Sequence, residues 1–396
     1  MRPGPCLLGL RKYARRCLRL QPYLDHPGDG RRFPQIPAAA LLWALLASKV
    51  LRVHAFSATE QLVREVARAL GVNRAFGDDA LGYFTEHLDV GRLRAVLFAL
   101  LWRSKRNKVF DHALRLGLVL DGTGNGRSAQ KRCELCHPKR DAKKEVVGHG
   151  HKMVGASVVA AELTLPLDVE YYRPGQSELT AGKRLLERVV RASRVRFDYV
   201  VVDGLYPGIP FLHLADRLRL PVVARLTDKL PELSEAAQAR FRDQPPTARH
   251  EEKGERIELW DADDFEPWWG LKWPTVRVLR YRQYRRTGKV VEAYWLTNFS
   301  PRKVGSLALY RICKTRWQIE NRFFNEGKKL YGLEHIPHHH ANSILIHTLL
   351  TCLALCIERL YRLRHLHRGG RRPYTPVELC RRLWLALGAP VPLDTS

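Results

Sequence analysis

The stretch Leu116–Gly126, LGLVLDGTGNG, decides the fold prediction, because it joins a strand-length apolar run to a carboxylate and several glycines. The run Leu116–Leu120 is apolar throughout, which is typical of a strand buried on both faces of a sheet. Asp121 follows the run directly, and we expect the glycines after it to form a turn. The stretch therefore predicts a buried strand that presents one carboxylate at its end.

Two further carboxylates extend this pattern. In Tyr199–Tyr206, YVVVDGLY, a β-branched run ends at Asp203 and a glycine follows. A third carboxylate, Glu320, lies much further along in a segment of strong helical character. Magnesium prefers carboxylate oxygens, and two such ions can activate a nucleophile and stabilise a leaving oxygen in phosphoryl transfer. Asp121, Asp203 and Glu320 therefore predict a two-metal site.

The segment around Glu320, CKTRWQIENRFFNEGKK, predicts a helix with one mixed face. The helical spacing places on that face Cys313, Arg316, Trp317, Glu320, Phe324 and Gly327. A buried glutamate needs a partner, which either Arg316 or a metal would supply. The alternative is an Arg316–Glu320 ion pair on a solvated face. Arg316, Trp317, Lys328 and Lys329 are the candidate DNA-binding residues, because the cations suit phosphates beside the site.

The charge balance indicates a polyanion partner. There are 67 Lys and Arg residues against 40 Asp and Glu, a formal net charge of +27 that is spread along the chain. Distributed cations bind nucleic-acid phosphates with release of counterions. The alternative cause of the excess is a genome of high GC content, which enriches arginine. Ala38–Val50 and Ile344–Ile357 are too short or too interrupted to span a bilayer. The eight cysteines indicate no disulfide framework, so we expect a reduced, cytoplasmic protein. A DNA partner would make it nucleoid-associated.

The pattern along the chain predicts a mixed α/β protein, with strands alternating with helices between residues 152 and 226. Residues 37–105 are helical in pattern and could bind DNA or serve as a structural cap. A long helix is expected at Ser306–Leu330 and another at Ala341–Leu363. We predict a helical, DNA-binding domain in residues 1–110, a core in 111–229, a β-rich insertion in 230–290, a second part of the core in 291–364 and a basic tail in 365–396.

A Cys/His insertion in residues 127–151 interrupts the predicted core. Cys133-x-x-Cys136 is followed by His149-x-His151, and two thiolates with two imidazoles suit a tetrahedral zinc knuckle. His137 competes as a ligand, and an unmetallated surface loop is the main alternative. The CxxCH pattern also matches a c-type haem attachment site, which nothing else in the chain supports.

Several other candidates have ordinary structural explanations. His338–His340 are consecutive, so they cannot all face one ion, and we expect a solvated or DNA-facing loop. Cys352 and Cys356 lie one helical turn apart in an apolar helix and are expected in the core. The tryptophans of the β-rich insertion could either stack on bases or pack a small β module; they are Trp268, Trp269 and Trp273.

Four motifs together resemble the DDE transposases of bacterial insertion sequences, in the group with a YREK signature around the catalytic glutamate. They are LDGT at Leu120–Thr123, VVDGLY at Val201–Tyr206, YWLTN at Tyr294–Asn298 and RWQIE at Arg316–Glu320. The resemblance covers roughly residues 106–359. Two positions depart from the signature: its Tyr falls on Cys313, one turn after Tyr310, and its Lys falls on Gly327, one residue before Lys328.

The resemblance implies a ribonuclease H-like mixed sheet with a β-rich insertion and an all-α N-terminal domain. It implies that Asp121, Asp203 and Glu320 hold two magnesium ions, for which manganese can substitute. The expected partners are terminal inverted repeats, target DNA and a second copy of the chain on paired ends, with no membrane involvement. The expected activity is cleavage at the element's ends followed by strand transfer. The rivals are a ribonuclease H-like nuclease that cuts without joining, and a catalytically inactive or domesticated DNA-binding derivative.

Overall fold

The structure is a computed structural model that describes residues 6–111, 113, 115–161, 163–365 and 374–388. One mixed sheet of ten strands forms its centre, and helices cover the faces. The strands are β1 (Gly117–Ser128), β2 (His137–Arg140), β3 (Val146–Ala160), β4 (Leu163–Tyr171), β5 (Tyr199–Val202), β6 (Val222–Leu226), β7 (Ala248–Glu252), β8 (Glu255–Phe265), β9 (Val276–Tyr284) and β10 (Val290–Thr297).

The described helices fall into an N-terminal group and a group attached to the sheet. The first group is α1 (Leu7–Lys12), α2 (Gln21–Asp25), α3 (Ala38–Leu51), α4 (Phe56–Leu70), α5 (Asp78–His87) and α6 (Val90–Arg106). The second is α7 (Glu178–Ala192), α8 (Ile209–Arg217), α9 (Pro231–Arg242), α10 (Ser306–Lys314), α11 (Arg316–Ile319), α12 (Glu326–Leu330), α13 (Ala341–His365) and α14 (Pro376–Leu387).

The sheet has the strand order expected of a ribonuclease H-like core. β4, β3 and β1 pair antiparallel in that order, and β5 and then β6 follow parallel to β1. The central strand β5 is buried at every residue, because it has a neighbour on each side and helices on both faces. The predicted mixed α/β class and its ribonuclease H-like core are confirmed.

The strands of the β-rich segment continue the same sheet. β10 pairs antiparallel with β6 and also with β9, so that β9, β8 and β7 extend the sheet beyond the core. The ladder hydrogen bonds at the open edge of β6 are thereby satisfied by β10. The segment also contains a helix, α9, that the strand-like pattern around it did not predict.

The structure corrects one local prediction and adds detail to others. The glycines after Asp121 do not form a turn, because β1 stays paired with β3 as far as Ser128. Two short helices, α1 and α2, precede the helical pattern that begins at residue 37. Part of the predicted basic tail forms α14, capped by Thr375, while residues 366–373 and 389–396 lie outside the described part of the chain.

The N-terminal helices pack directly on the core. The buried Lys49 of α3 donates to the Tyr331 carbonyl at 3.2 Å, and Arg94 of α6 donates to the buried Asp168 of β4 at 2.9 Å. Helix α13 is long and apolar enough to cross a membrane, but 94% of its apolar stretch is buried among these helices and the sheet. Cys352 and Cys356 lie in this buried stretch, as expected.

The predicted long helix at Ser306–Leu330 is interrupted. Thr315 separates α10 from α11, and the residues from Glu320 to Asn325 adopt π-helical hydrogen bonding before α12 begins. A π turn holds one residue more than an α turn, and such turns occur often at functional sites. Sequence periodicity assumes α geometry throughout and therefore could not predict this segment.

Candidate active site

Asp121 and Asp203 lie side by side at the same level of the sheet. Val119 of β1 is paired with Val201 of β5 in parallel register, and each aspartate comes two residues after its valine. Side chains two residues apart point to the same face of a strand, so the two carboxylates share one face. β5 ends just before Asp203, while β1 continues past Asp121. The two carboxylates therefore lie where β1 and β5 stop pairing.

A glycine on β3 lets the Glu320 segment approach this face. Gly155 is the cross-strand partner of Asp121. A Cβ atom at residue 155 would lie 2.8 Å from ring atoms of both Phe323 and Phe324, which are buried there. Only a residue without a side chain permits this contact. The two phenyl rings thus seat the π-helical segment against β3 and bring Glu320 to the neighbouring Asp121.

Arg316 joins two of the three predicted carboxylates. Its Nη1 donates to Asp121 Oδ2 at 3.1 Å and its Nη2 donates to Glu320 Oε2 at 3.5 Å. The Arg316 side chain is 10% exposed, that of Asp121 is 15% exposed and that of Glu320 is 48% exposed. The ion pair is therefore solvated only in part: Arg316 and Asp121 are nearly buried, whereas Glu320 is exposed.

Burial and charge raise the pKa of Asp121 to about 6. Desolvation is the main cause, and the neighbouring carboxylates of Asp203 and Glu178 add to it, while Arg316 opposes the rise. The Gly122 amide also donates to Asp121 Oδ1 at 3.0 Å, which favours the ionised form. Arg316 and the Gly122 amide thus offset the combined effect of burial and the neighbouring carboxylates only in part.

Glu178 is a further carboxylate near Asp121 that the sequence did not reveal, and it lies on the opposite face of β1, because successive residues of a strand point to opposite faces. It lies over Gly122, where any side chain at residue 122 would clash with its carboxylate. The Tyr206 hydroxyl donates to Glu178 Oε1 at 3.0 Å, and burial with the charge of Asp203 raises the Glu178 pKa. Glu178 follows Ser177, the N-cap of α7. An acidic residue in the first turn of a helix has an ordinary explanation in the helix dipole, which hides its other role.

Arg359 of α13 stabilises the π-helical segment. Its Nη2 donates to the Arg322 carbonyl and, at 2.8 Å, to Glu326 Oε2, and its Nη1 donates to the Thr164 carbonyl at 2.6 Å. A π turn leaves a backbone carbonyl without its usual intrahelical partner, and a guanidinium can satisfy it. Arg359 thereby ties the segment after Glu320 to both α13 and β4.

The two departures from the YREK signature have different surroundings. Cys313 is fully buried, and Tyr310 one turn earlier packs against Tyr281 with a ring separation of 5.1 Å. Gly327 is buried against Leu333, where a Cβ atom would lie 3.2 Å from Leu333 Cδ2, so a larger residue there would displace that side chain. Because the π turn adds one residue, we infer that Lys328 takes the helix side on which a lysine at residue 327 would lie in an α-helix.

The remaining predicted residues of this region lie on the same helical segment as Arg316 and Glu320. Trp317 packs edge-on against Trp295, and Arg316 lies 5.0 Å from the Trp317 ring centre. Lys328 pairs with Glu334 at 3.3 Å, while Lys329 is exposed. Glu334 and Glu326 are both engaged by cations, Lys328 and Arg359 respectively, and neither joins the Asp121 cluster.

The tryptophans of the β-rich segment differ in exposure. Trp273 is buried and donates to Asp216, Trp268 is half-buried and Trp269 is 93% exposed. Packing of the module therefore explains Trp273, and Trp269 is free to contact a partner.

The Cys/His insertion brings together three of its four predicted ligands. Cys133, Cys136 and His151 form one cluster, whose fourth member is His339. His149 lies outside that cluster, and the His137 Nε2 is hydrogen-bonded to the Tyr172 carbonyl at 2.8 Å.

Comparison with known proteins agrees with this geometry. The family described as the transposase DDE domain matches residues 115–357, which include both aspartates, Glu178, Glu320 and the β-rich segment. No curated protein matches the chain. Since the matched range covers more than half of the 396 residues, the chain belongs to the transposase DDE domain family.

Proposed function

We propose that this chain is a DNA transposase that binds terminal inverted repeats, cleaves the DNA at the ends and transfers the 3′-hydroxyls to target DNA. One observation carries the proposal: Asp121 and Asp203 lie at the same level of two neighbouring strands, and the guanidinium of Arg316 joins Asp121 to Glu320 of the helical segment. A purely structural ion pair would not need a second aspartate at the same level of the sheet, nor the close approach at Gly155.

The carboxylate cluster fits magnesium. Its donors are carboxylate oxygens, and burial together with mutual repulsion raises the pKa of Asp121, which a divalent cation would reverse. Asp121, Asp203 and Glu320 would hold the metal, and a bound magnesium pair would activate water or a 3′-hydroxyl and stabilise the leaving oxygen. Manganese, with similar ligand preferences, is expected to substitute for magnesium.

The chain's own residues position the DNA and the carboxylates. Arg316 is oriented by Trp317 and by Asp121, so its guanidinium can meet a phosphate without a search through rotamers. Lys328 and Lys329 follow on the same segment and would contact the backbone on one side of the scissile phosphate. Glu178, held by Tyr206, adds negative charge near Asp121 and would act through that charge.

The N-terminal helices would supply the binding of terminal repeats. Arg64 and Arg68 lie one turn apart on the exposed side of α4, and Arg64 pairs with Glu60. Arg52, at the C-terminal end of α3, is half-buried. Because these helices cover α13, deleting them would expose its apolar surface, so point substitutions are the appropriate test. A homodimer on paired ends would bring two such surfaces to one synapse.

The proposal is tested with labelled DNA that carries the sequences flanking the gene, in magnesium and with products resolved on a denaturing gel. We expect cleavage at the repeat ends, and joining of a precut end to plasmid DNA. Asp121→Asn, Asp203→Asn and Glu320→Gln should each abolish both steps while binding persists in a mobility-shift assay. Glu187→Gln, at a partly exposed glutamate that pairs with Arg191 on α7, is the control and should cleave normally. Cleavage without joining would indicate the nuclease, and binding without either step would indicate an inactive derivative.

A further inference from the structure

Four potential metal ligands from three separate chain segments meet beside the β1–β3 hairpin. Cys133 and Cys136 lie before β2, His151 lies on β3, and His339 lies just before α13. Their ligand atoms all lie within 4.8 Å of one another, and Cys136 and His151 are buried. Cys136 N donates to the Cys133 carbonyl at 3.2 Å, which closes the turn that aims both thiols inward.

The spacing of these atoms suits a tetrahedral ion. Bond lengths of about 2.3 Å to sulfur and about 2.0 Å to nitrogen would place two ligands of a tetrahedral zinc ion roughly 3.3–3.8 Å apart. The two Sγ atoms are 3.6 Å apart, and His151 Nε2 lies 3.1 Å from Cys133 Sγ and 3.5 Å from Cys136 Sγ. Two sulfur and two imidazole ligands in this arrangement favour zinc over the hard cation of the carboxylate site.

His339 has no competing role in the part of the chain that the structure describes. Its Nδ1 is buried and has no hydrogen-bond partner among those residues. The two neighbouring histidines differ from it: His338 Nε2 contacts Glu86 at 2.6 Å, and His340 is exposed. His339 is therefore the one of the three consecutive histidines that faces the thiols.

We propose that Cys133, Cys136, His151 and His339 bind one structural zinc ion, which fastens the Cys/His insertion to the chain segment that follows the Glu320 helix. His151 lies four residues from Gly155 on β3, roughly 13 Å along the strand from the contact that seats Glu320. Asn125 already joins the same two regions, because its Nδ2 donates to the Leu333 carbonyl at 3.3 Å. The ion would add a second tie between β1–β3 and the end of the catalytic segment.

A zinc site that uses His339 can be distinguished by experiment from a zinc knuckle formed entirely within the Cys/His insertion. The full chain, purified without chelator, is expected to contain about one zinc per chain by elemental analysis. His339→Ala and Cys136→Ser should lose the zinc, while His149→Ala and His340→Ala should keep it. Zinc retained in His339→Ala and lost in His149→Ala would overturn the assignment.

A measurement on the unsubstituted chain covers the case in which a variant fails to fold. Zinc removed by a chelator is replaced with cobalt, whose visible spectrum reports tetrahedral geometry and thiolate ligation. We expect intense tetrahedral bands with sulfur charge transfer. Absence of zinc from the folded chain, together with no cobalt spectrum, would refute the site. Neither readout depends on DNA cleavage, so the outcome is separate from that of the proposed transposase activity.

Discussion

Replacing Gly155 by alanine tests whether the contact on β3 sets the position of Glu320. The added methyl would lie 2.8 Å from ring atoms of both Phe323 and Phe324. Overpacking of this kind costs about 1–3 kcal/mol of unfolding free energy, and the π-helical segment must move away from β3. A displacement of about 1 Å at a catalytic group can cost about 100-fold in rate. We therefore expect Gly155→Ala to cleave DNA about 100-fold more slowly while it still binds.

Gly124 offers a matched control on the same pair of strands. A methyl there would lie 3.5 Å from the His151 carbonyl oxygen, an ordinary contact, so its effect should stay within about 0.5 kcal/mol. Urea unfolding gives the stability of each variant, and single-turnover cleavage of a labelled end gives the rate. Adding Phe324→Leu to Gly155→Ala should recover part of the rate by making room for the methyl. Parental cleavage by Gly155→Ala, or an equal loss in Gly124→Ala, would refute the reasoning.

Four other predictions follow from the charges. Because burial raises the Asp121 pKa to about 6, a proton competes with the metal below that pH. The magnesium concentration for half-maximal cleavage should therefore rise as the pH falls through 6, and a concentration that does not change with pH would contradict this prediction. With a chelator present, the raised Asp121 pKa lowers the free energy of unfolding above pH 6, and this loss shrinks as the carboxyl group is protonated on acidification. The loss of unfolding free energy measured with urea should therefore be smaller at pH 5 than at pH 8. Glu178→Gln keeps a partner for Tyr206 but removes one anion, so the acid limb of the cleavage profile should move to lower pH; an unmoved limb would exclude its electrostatic role. Arg64→Ala with Arg68→Ala should weaken binding of terminal repeats and lessen its salt dependence, and mobility shifts at several salt concentrations would reveal no change if α4 does not touch DNA.

The sequence by itself determined the class of the fold and the family. Continuous apolar runs mark strands with neighbours on both sides, and those before Asp121 and Asp203 are β1 and β5. A parallel pairing of the two follows from their place in a ribonuclease H-like order, and the structure has it. Such patterns can be recognised because burial of a strand on both faces requires apolar side chains at consecutive residues.

Only the tertiary structure decided which distant residues meet. His339 lies beside two thiols that are distant along the chain, and Glu178, in the first turn of α7, lies over Gly122. Neither position carries a local sequence signal. The π turn after Glu320 and the sheet that runs on through β10 also depend on distant partners, Arg359 and β6. The periodicity of a segment indicates which of its faces is buried. It does not indicate which distant segment packs on that face, and a site is formed by such distant segments.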